Sequence, residues 1–383
     1  MIRTVDLRRY AIARSLQRPT TLQKALQRIG FIQADPIRAP ARAQDLILRH
    51  RVRGYRAGDL EEKYESLSVD EEYFVNYGFM PHEHVRWLHP RVTLSQDART
   101  RVLAAALLTF VRERGAVHPR EADAHFKGGR VKRWSGSSSI TTHLLDRLHF
   151  GGDLRVVRRE NGIRIYSARP QPMSDYVELP RSQCADALID LIVRIYAPVP
   201  APSLGHLCRL LKFSAPHLAT ELGAAVANAP QRFRHARVAG TEWFWPTDED
   251  LRAGMEIPDD TVRLLAPFDP IVWDRRRFEL CWGWQYRFEA YTPPSQRRFG
   301  YYALPVLWRD RVIGWGNVSL REGVLKSNFG YAKGSAPRDR VYARELNAEL
   351  DRFRSFMGIN SPALSRAPAT GRGSRGKSEA IAT

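Results

Sequence analysis

A chain of 383 residues, 43% hydrophobic and with a formal net charge of +19, is long enough for two to four compact domains. It has no run of about 18 apolar residues that would span a bilayer, and its first residues lack the apolar core of a secretory signal. The three cysteines, Cys184, Cys208 and Cys281, are scattered, which disfavours a disulfide framework or a cysteine zinc site and fits a reducing cytoplasm.

The charge is segregated. Residues 1–110 carry net +6, residues 111–170 net +7, residues 171–262 net −4 and residues 263–383 net +10. A solvated surface rarely needs such segregation. A surface that neutralises phosphates and releases their counterions does.

The N-terminal block opens with a helical pattern, "VDLRRYAIARSLQ", and a second from Thr21 to Gly30. Thr20 or Thr21 can cap that second helix and Gly30 can end it. "FIQADPI" then reads as short and extended, with Phe31, Gln33 and Asp35 on one face and Ile32 and Ala34 on the other. Taken alone, a Gln-x-Asp triplet is weak evidence of chemistry, since such pairs are usually solvated or cap a helix. "PHEHVRWLHP" brings His82, His84 and His89 close, but no further ligand type at a metal-binding spacing accompanies them, so no metal is assigned.

From about Thr109 the pattern is helix, short extended piece, helix with Pro119 in its first turn, and serine-capped helix with Ile140, Leu144, Leu145 and Leu148 on one side. A hairpin follows, turning at Asn161-Gly162. This is the order of a winged helix, and Arg155, Arg158, Arg159 and Arg164 lie on its hairpin. The same order recurs from about Ala185, with a turn at Ala239-Gly240, in the acidic block. After Val262 many short aromatic and β-branched stretches, with turns near Pro293-Pro294, Arg309-Asp310 and Glu322-Gly323, suggest a small antiparallel barrel. A last helix closes it.

The expected fold class is thus α+β: tandem winged-helix (helix-turn-helix) domains followed by a C-terminal antiparallel β-barrel. Residues 1–108 form an N-terminal winged-helix-like domain with the Gln33-x-Asp35 motif, and 109–170 a winged-helix domain. Residues 171–262 form an acidic winged-helix-like packing unit, 263–360 the barrel with its closing helix, and 361–383 a disordered basic tail.

Two basic stretches stand out in the last block. In "LLAPFDPIVWDRRRFE", Arg275 to Arg277 are either a solvated face of a strand lead-in or a phosphate clamp beside Trp273. In "PPSQRRFGYY", Gln296, Arg297 and Arg298 sit at an expected hairpin tip whose length suits a groove. The DNA-contact candidates are Arg38, Arg158, Arg159, Arg276, Arg297 and Arg298. There is no Gly-rich phosphate loop, HExxH or GxSxG, so hydrolysis by a serine triad or a zinc ion has no support.

"FIQADPI" and, far downstream, "LLAPFDPIVWDRRR" and "YRFEAYTPPSQRRFGYYALPVL" resemble the bacterial YcaQ/AlkZ-like DNA glycosylases, over most of the chain up to about Gly358. The resemblance implies tandem winged helices, a C-terminal β-barrel and a catalytic triplet. That triplet is Gln-apolar-Gln in the AlkZ branch and Gln-apolar-Asp in the YcaQ (AlkX) branch, so Gln33-Ala34-Asp35 is similar to the latter. Members of that branch unhook interstrand crosslinks and excise N7-alkylguanine. In "YFVNYGFMP", Tyr73 to Pro81, the chain departs from relatives that bear a histidine before Phe-Met-Pro, which leaves this loop without an assigned role.

The implied chemistry is economical. N7 alkylation makes guanine a cation and a good leaving group, so no general acid is needed. Asp35 would stabilise the oxocarbenium-like sugar and deprotonate water at C1′, and Gln33 would orient the water or the deoxyribose. The expectation is a cofactor-free, monofunctional DNA glycosylase. It would be a cytoplasmic, nucleoid-associated bacterial monomer whose partner is double-stranded DNA carrying alkylated or crosslinked guanine. The rival reading is a non-catalytic winged-helix transcriptional regulator. A regulator usually dimerises to read paired half-sites. No long dimerisation helix is evident, and the barrel would have no use.

Overall fold

The computed structural model describes residues 2–91, 97–127, 129–133, 136–170, 179–252 and 258–359. The basic tail expected to be disordered, 361–383, lies outside them. Among the described residues, no helix is long and apolar enough to cross a membrane.

The N-terminal block begins with α1 (Thr4–Ser15) and α2 (Leu22–Ile29). Thr21 caps α2 by accepting from the Lys24 amide at 3.4 Å, and Gly30 ends it at φ 78°, a conformation that L side chains resist. Then come β1 (Ile32–Gln33), α3 (Ala43–Leu48), α4 (Asp59–Lys63), β2 (Val69–Tyr73), β3 (Tyr77–Pro81) and α5 (His82–Val85). The three strands make an antiparallel sheet in the order β1-β3-β2.

The next stretch runs α6 (Ala98–Arg114), β4 (Ala116–Val117), α7 (Pro119–Phe126), β5 (Arg130–Arg133), β6 (Gly136–Ser139), α8 (Ile140–Gly151), β7 (Leu154–Glu160) and β8 (Ile163–Ala168). Ser139 caps α8 by accepting from the Thr142 amide at 3.0 Å, and Asn161 and Gly162 both take positive φ at the β7–β8 turn, as the Asn-Gly pair predicts. β4 pairs with β8 to give the order β4-β8-β7. The β5–β6 hairpin between the two helices was not expected.

The acidic block repeats the plan. α9 (Arg181–Tyr196), β9 (Val199–Pro200), α10 (Ala201–Ser214), α11 (Ala219–Ala227) and α12 (Ala229–Arg232) precede β10 (Arg234–Val238) and β11 (Thr241–Trp245). The sheet order is β10-β11-β9, and the hairpin turns at Ala239 and Gly240, both at positive φ.

The last block departs from the expected barrel. It contains β12 (Arg263–Leu264), α13 (Arg275–Trp282), β13 (Leu304–Trp308), β14 (Arg311–Arg321), β15 (Val324–Tyr331) and α14 (Arg340–Phe356). The strands form an open four-stranded antiparallel sheet in chain order, and no closed barrel is found among the described residues. The reason is local. "RRRFELCW" is a helix, capped by Asp274 whose carboxylate accepts from the amides of Arg276 and Arg277, and residues 284–303 contain no strand. Their aromatic side chains pack into a cluster around Phe278, Trp284, Tyr286 and Phe299 instead of pairing in a ladder. The expected turns at Arg309-Asp310 and Glu322-Gly323 are present, with Arg309, Glu322 and Gly323 at positive φ.

The cores tie distant segments together. One joins Leu26, Ile32 and Leu46 to Leu264, Tyr302, Leu304 and Phe353. A second joins Phe31, Phe74 and Met80 to α9, α10 and α11. A third joins Leu7 and Tyr10 of α1 to Trp243, Phe278 and Leu307. β1 therefore lies where two cores meet, with Phe31 in one and Ile32 in the other.

β2 carries three consecutive carboxylates, Asp70, Glu71 and Glu72, all buried, and each has cationic partners. Asp70 meets Arg155 at 3.2 Å and Arg169 at 3.1 Å. Glu71 takes two bonds from Arg159, at 2.7 and 2.5 Å, and one from the Tyr77 hydroxyl. Glu72 accepts from Arg91 at 2.7 Å and from His89 at 3.0 Å. Burial opposes ionisation of Glu72, but Arg91 and His89 hold it well below the usual carboxylate range. His89 is pushed down to about 4 by burial and by Arg91. It is therefore neutral at pH 7, with Nε2–H donating to the carboxylate.

This network sets the acid response. Below pH about 6.5 the unfolded chain protonates its histidine, whereas the folded chain leaves His89 neutral down to about pH 4. Stability that is full above pH 6.5 is thus lost as pH falls toward 4, and Glu72 adds a further loss below the ordinary glutamate pKa. The urea midpoint is expected to fall from pH 7 to pH 4, and His89→Gln is expected to flatten part of that fall. A midpoint unchanged down to pH 4.5 in the native protein would contradict the network.

Candidate active site

β1 is a two-residue strand, yet it is firmly seated. Ile32 pairs with Phe79 and Gln33 with Gly78, and the Ala34 amide continues the ladder by donating to Tyr77 O at 3.0 Å. Gly78 is the residue that permits this approach. A Cβ there would lie 2.2 Å from Ile32 O and 2.7 Å from the Phe31 ring. The Tyr73–Pro81 segment, left without a role by its missing histidine, is the hairpin on which β1 is mounted.

Gln33 and Asp35 are each only 8% exposed, so neither is a solvated surface residue. Gln33 Oε1 accepts from the indole Nε1–H of Trp273 at 2.6 Å. Indole only donates, so this bond fixes which end of the amide faces it and leaves the NH2 group for a ligand. Trp273 is itself placed by Asp269, whose backbone oxygen accepts from the Trp273 amide at 2.8 Å. The Asp269 carboxylate is clamped by Arg51 through bonds of 2.7 and 3.0 Å.

Asp35 begins an Asx turn. Its Oδ1 accepts from the Ile37 amide at 2.8 Å, and its own amide donates to the buried Gln44 Oε1 at 3.4 Å. No donor among the described residues occupies Oδ2, which is not sealed off as a buried orphan. Burial raises the Asp35 pKa and the Ile37 bond opposes that rise. The result is a carboxylate held by one oxygen, with the other available and more basic than an exposed aspartate.

Two open clefts are walled by neighbours of this pair, one by residues 38–40 and the other by Trp273, although neither Gln33 nor Asp35 is itself among their wall residues. One, of ≈ 600 Å³, is walled by Arg38, Ala39 and Pro40 on the chain leaving Asp35, by Tyr301 and Tyr302, and by Asn317, Asn328 and Lys326 of β14 and β15. The other, of ≈ 430 Å³, lies against Trp273 and is walled by Ser203, His206, Arg209 and Arg276.

A family model described as DNA glycosylase AlkZ-like matches residues 26–356. The chain belongs to the AlkZ-like DNA glycosylase family. Among solved structures, DNA glycosylase AlkZ from Streptomyces sahachiroi is similar in fold. Its TM-score is 0.60 over 94% of this chain and 97% of that one, at 12% sequence identity.

The arginines singled out for DNA in this glycosylase fall into two groups. Arg38, Arg276 and Arg298 are exposed, and none has a carboxylate partner among the described residues. Arg38 and Arg276 line the two clefts. Arg297 donates to Thr292 O at 2.8 Å and lies over Tyr301, in a 3₁₀ turn region rather than at a hairpin tip. On the β7–β8 hairpin, Arg158 pairs with Glu160 at 2.8 Å, and Arg159 points inward to Glu71. The three consecutive arginines do not form one clamp, because the helix turns them about 100° apart. Arg277 is buried and donates to Pro198 O at 2.9 Å and Pro270 O at 3.1 Å. Arg275 donates to Val272 O at 2.6 Å beneath Tyr286. His82, His84 and His89 diverge as well: His82 is 3.7 Å from Asp70, His84 stacks on Trp87, and His89 is bound to Glu72.

Trp273, Tyr302 and Gly78 were not foreseen as site residues. A two-residue strand that needs a glycine opposite it yields a direct test. Gly78→Ala is expected to cost about 1–3 kcal/mol, because its Cβ meets backbone that cannot rotate away, and to lower base excision beyond the loss of folded protein. Urea unfolding and single-turnover excision measure both; an unchanged unfolding midpoint would refute the seating.

Proposed function

We propose that this AlkZ-like glycosylase hydrolyses the N-glycosidic bond of cationic N7-alkylguanine in double-stranded DNA, crosslinked guanine included. The observation that carries this reading is the Asp35 carboxylate, tied by Oδ1 to Ile37 and open at Oδ2, beside a Gln33 amide whose orientation Trp273 dictates. Water on Asp35 Oδ2 gives one proton to the carboxylate as its oxygen bonds to C1′. The C1′–N9 bond breaks and its electron pair neutralises the guanine ring. The products are an abasic site, a neutral alkylguanine and protonated Asp35, so charge and atoms balance. Developing positive charge on the sugar faces a carboxylate in a partly desolvated site, where electrostatic stabilisation is strongest. The Gln33 amide N–H groups are free to hold the water or the deoxyribose.

Further features support the finer reading. The triplet Gln33-Ala34-Asp35 is similar to that of the YcaQ branch of the family, which supports this reading. The clefts are open, which suits a crosslinked guanine, since such a base cannot be swung into a closed pocket while its partner strand is attached. Each of the orders β4-β8-β7 and β10-β11-β9 joins a short strand after the first helix to a hairpin, the arrangement of a winged helix. Under this reading 109–170 and 171–262 are the tandem copies, and Arg38, Arg276, Arg298, Arg158 and Arg297 contact phosphates. Arg159 instead anchors its hairpin. The enzyme works as a cytoplasmic, nucleoid-associated monomer and needs no cofactor.

Asp35→Asn is expected to lower single-turnover release of N7-methylguanine by roughly 10²-fold or more, with DNA affinity within about twofold of the native protein. A duplex with one N7-methylguanine, a nitrogen-mustard crosslink and a uracil duplex form the substrate set. Release from the first two and none from uracil is expected, since neutral uracil leaves poorly without an acid. Borohydride should trap no covalent complex, although Lys326 lies in the cleft. Efficient uracil release, or full activity in Asp35→Asn, would overturn the mechanism.

A further inference from the structure

The cleft of ≈ 430 Å³ is built from two blocks of the chain. α10 supplies Pro202, Ser203, His206 and Arg209, and the start of α13 supplies Arg275 and Arg276, with Trp273 and Asp274 just before it. α10 lies in the unit read as acidic packing. Yet its 14 residues, APSLGHLCRLLKFS, contain His206, Arg209 and Lys212 and no carboxylate. Part of that unit's acidic charge is spent elsewhere, since Asp186 and Asp190 of α9 are paired to Arg232 at 2.6 and 2.8 Å. Pro202, His206, Arg209 and Phe213 are all exposed, and their spacing puts them on one face of the helix.

Arg209 has no carboxylate partner among the described residues. Its guanidinium runs back along the helix over Gly205, where a Cβ would come 4.0 Å from Nη1. Arg276 is likewise exposed and without a carboxylate partner, while Arg275 turns inward to Val272 O. The Asp274 carboxylate on the cleft wall accepts from the Arg276 and Arg277 amides at 3.0 and 3.2 Å, so it is engaged by the first turn of α13. The exposed His206 ring lies 6.4 Å from the Trp273 indole, nearly parallel to it. Convergent guanidinium groups without acid partners favour an anion between them. Trp273 ties this cleft to the site, because its Nε1–H donates to Gln33 Oε1 at 2.6 Å.

Resting on the glycosylase reading above, we propose that Arg209 and His206 of α10, with Arg276 of α13 opposite, form a subsite for a backbone phosphate close to the damaged nucleotide. Arg209 and Arg276 donate to its oxygens from two sides and a His206 N–H donates a third bond. The phosphodiester stays intact. The subsite holds the strand one side chain away from Gln33. Residues 171–262 are then not a spacer, because α10 supplies one jaw of the DNA grip despite the net negative charge of its unit.

The test is Arg209→Gln in the full chain, with Arg234→Gln as the control. Arg234 is exposed in the same unit but lies on β10 and is not a wall of the cleft. At moderate salt Arg209→Gln is expected to bind a duplex with one N7-methylguanine roughly tenfold more weakly. The slope of log affinity against log salt is expected to shrink by about one. Arg234→Gln should change neither, and both variants should keep the native thermal midpoint. Replacing the phosphates nearest the lesion one at a time with uncharged methylphosphonates should then reveal one position at which Arg209→Gln and the native protein bind alike. Native affinity and salt slope in Arg209→Gln, or an equal loss in Arg234→Gln, overturns the subsite. So does a penalty that no single methylphosphonate near the lesion removes. The readout is DNA binding and stands apart from base release. A native protein that releases no N7-methylguanine overturns the glycosylase reading, while the subsite stands or falls on affinity and salt slope.

Discussion

The row Asp70-Glu71-Glu72 on β2 is the constraint on which the rest of the site depends. Three adjacent carboxylates inside a protein are tolerable only if each is matched. Here Arg155, Arg169, Arg159 and Arg91 match them, three of these from the segment that carries the β7–β8 hairpin. Such pairs gain little over well-packed apolar residues, but removing one partner costs about 3–5 kcal/mol because a buried charge is stranded. Each carboxylate meets different arginines, so sliding β2 by one residue would bring Tyr73 opposite Arg91 or Val69 opposite Arg155 and Arg169, leaving charges there unmatched. The register of β2 fixes β3, and β3 fixes β1, where Gln33 pairs with Gly78.

From that mounting the two site residues acquire different properties. Gln33 is immobilised through its oxygen by Trp273, and Asp35 through one oxygen by Ile37. Each keeps one polar end free. Trp273 in turn hangs on Asp269 and Arg51, which also donates to Ser15 O at 3.0 Å. The motif at residues 33–35 and the loop at 269–274 are thus one device, although more than 230 residues separate them.

Much of this was legible in the sequence because it is local. Thr21 and Gly30 bracket α2, Pro119 opens α7, Ser139 caps α8, and Asn161-Gly162 and Ala239-Gly240 turn their hairpins through backbone conformations those residues favour. The triplet Gln33-Ala34-Asp35 stood out only through its resemblance to the family's signature, since alone such a pair is usually solvated or capping. What escaped is long-range or ambiguous in period. "RRRFELCW" has aromatic and basic residues that suit a strand as well as a helix, and only the Asp274 cap decides for α13. Arg159 suggested a DNA contact, and Arg277 part of a solvated face or phosphate clamp, because charge alone does not reveal a carboxylate or a set of carbonyls waiting inside the fold. The open sheet was taken for a barrel because the aromatic residues after Gly283 signal burial, and burial in a cluster has the same composition as burial in a ladder.

The central claim is that an ionised Asp35, not a protonated group, drives the reaction. The pH dependence of single-turnover release from a duplex with one N7-methylguanine, corrected for spontaneous depurination, tests it most directly. Because burial raises the Asp35 pKa, activity is lost as pH falls through that raised value. The rate should therefore climb with pH through one ionisation above the usual aspartate value of about 3.9, then level off. A rate that is highest in acid and declines as pH rises would mean that a protonated group does the work, and would contradict the account.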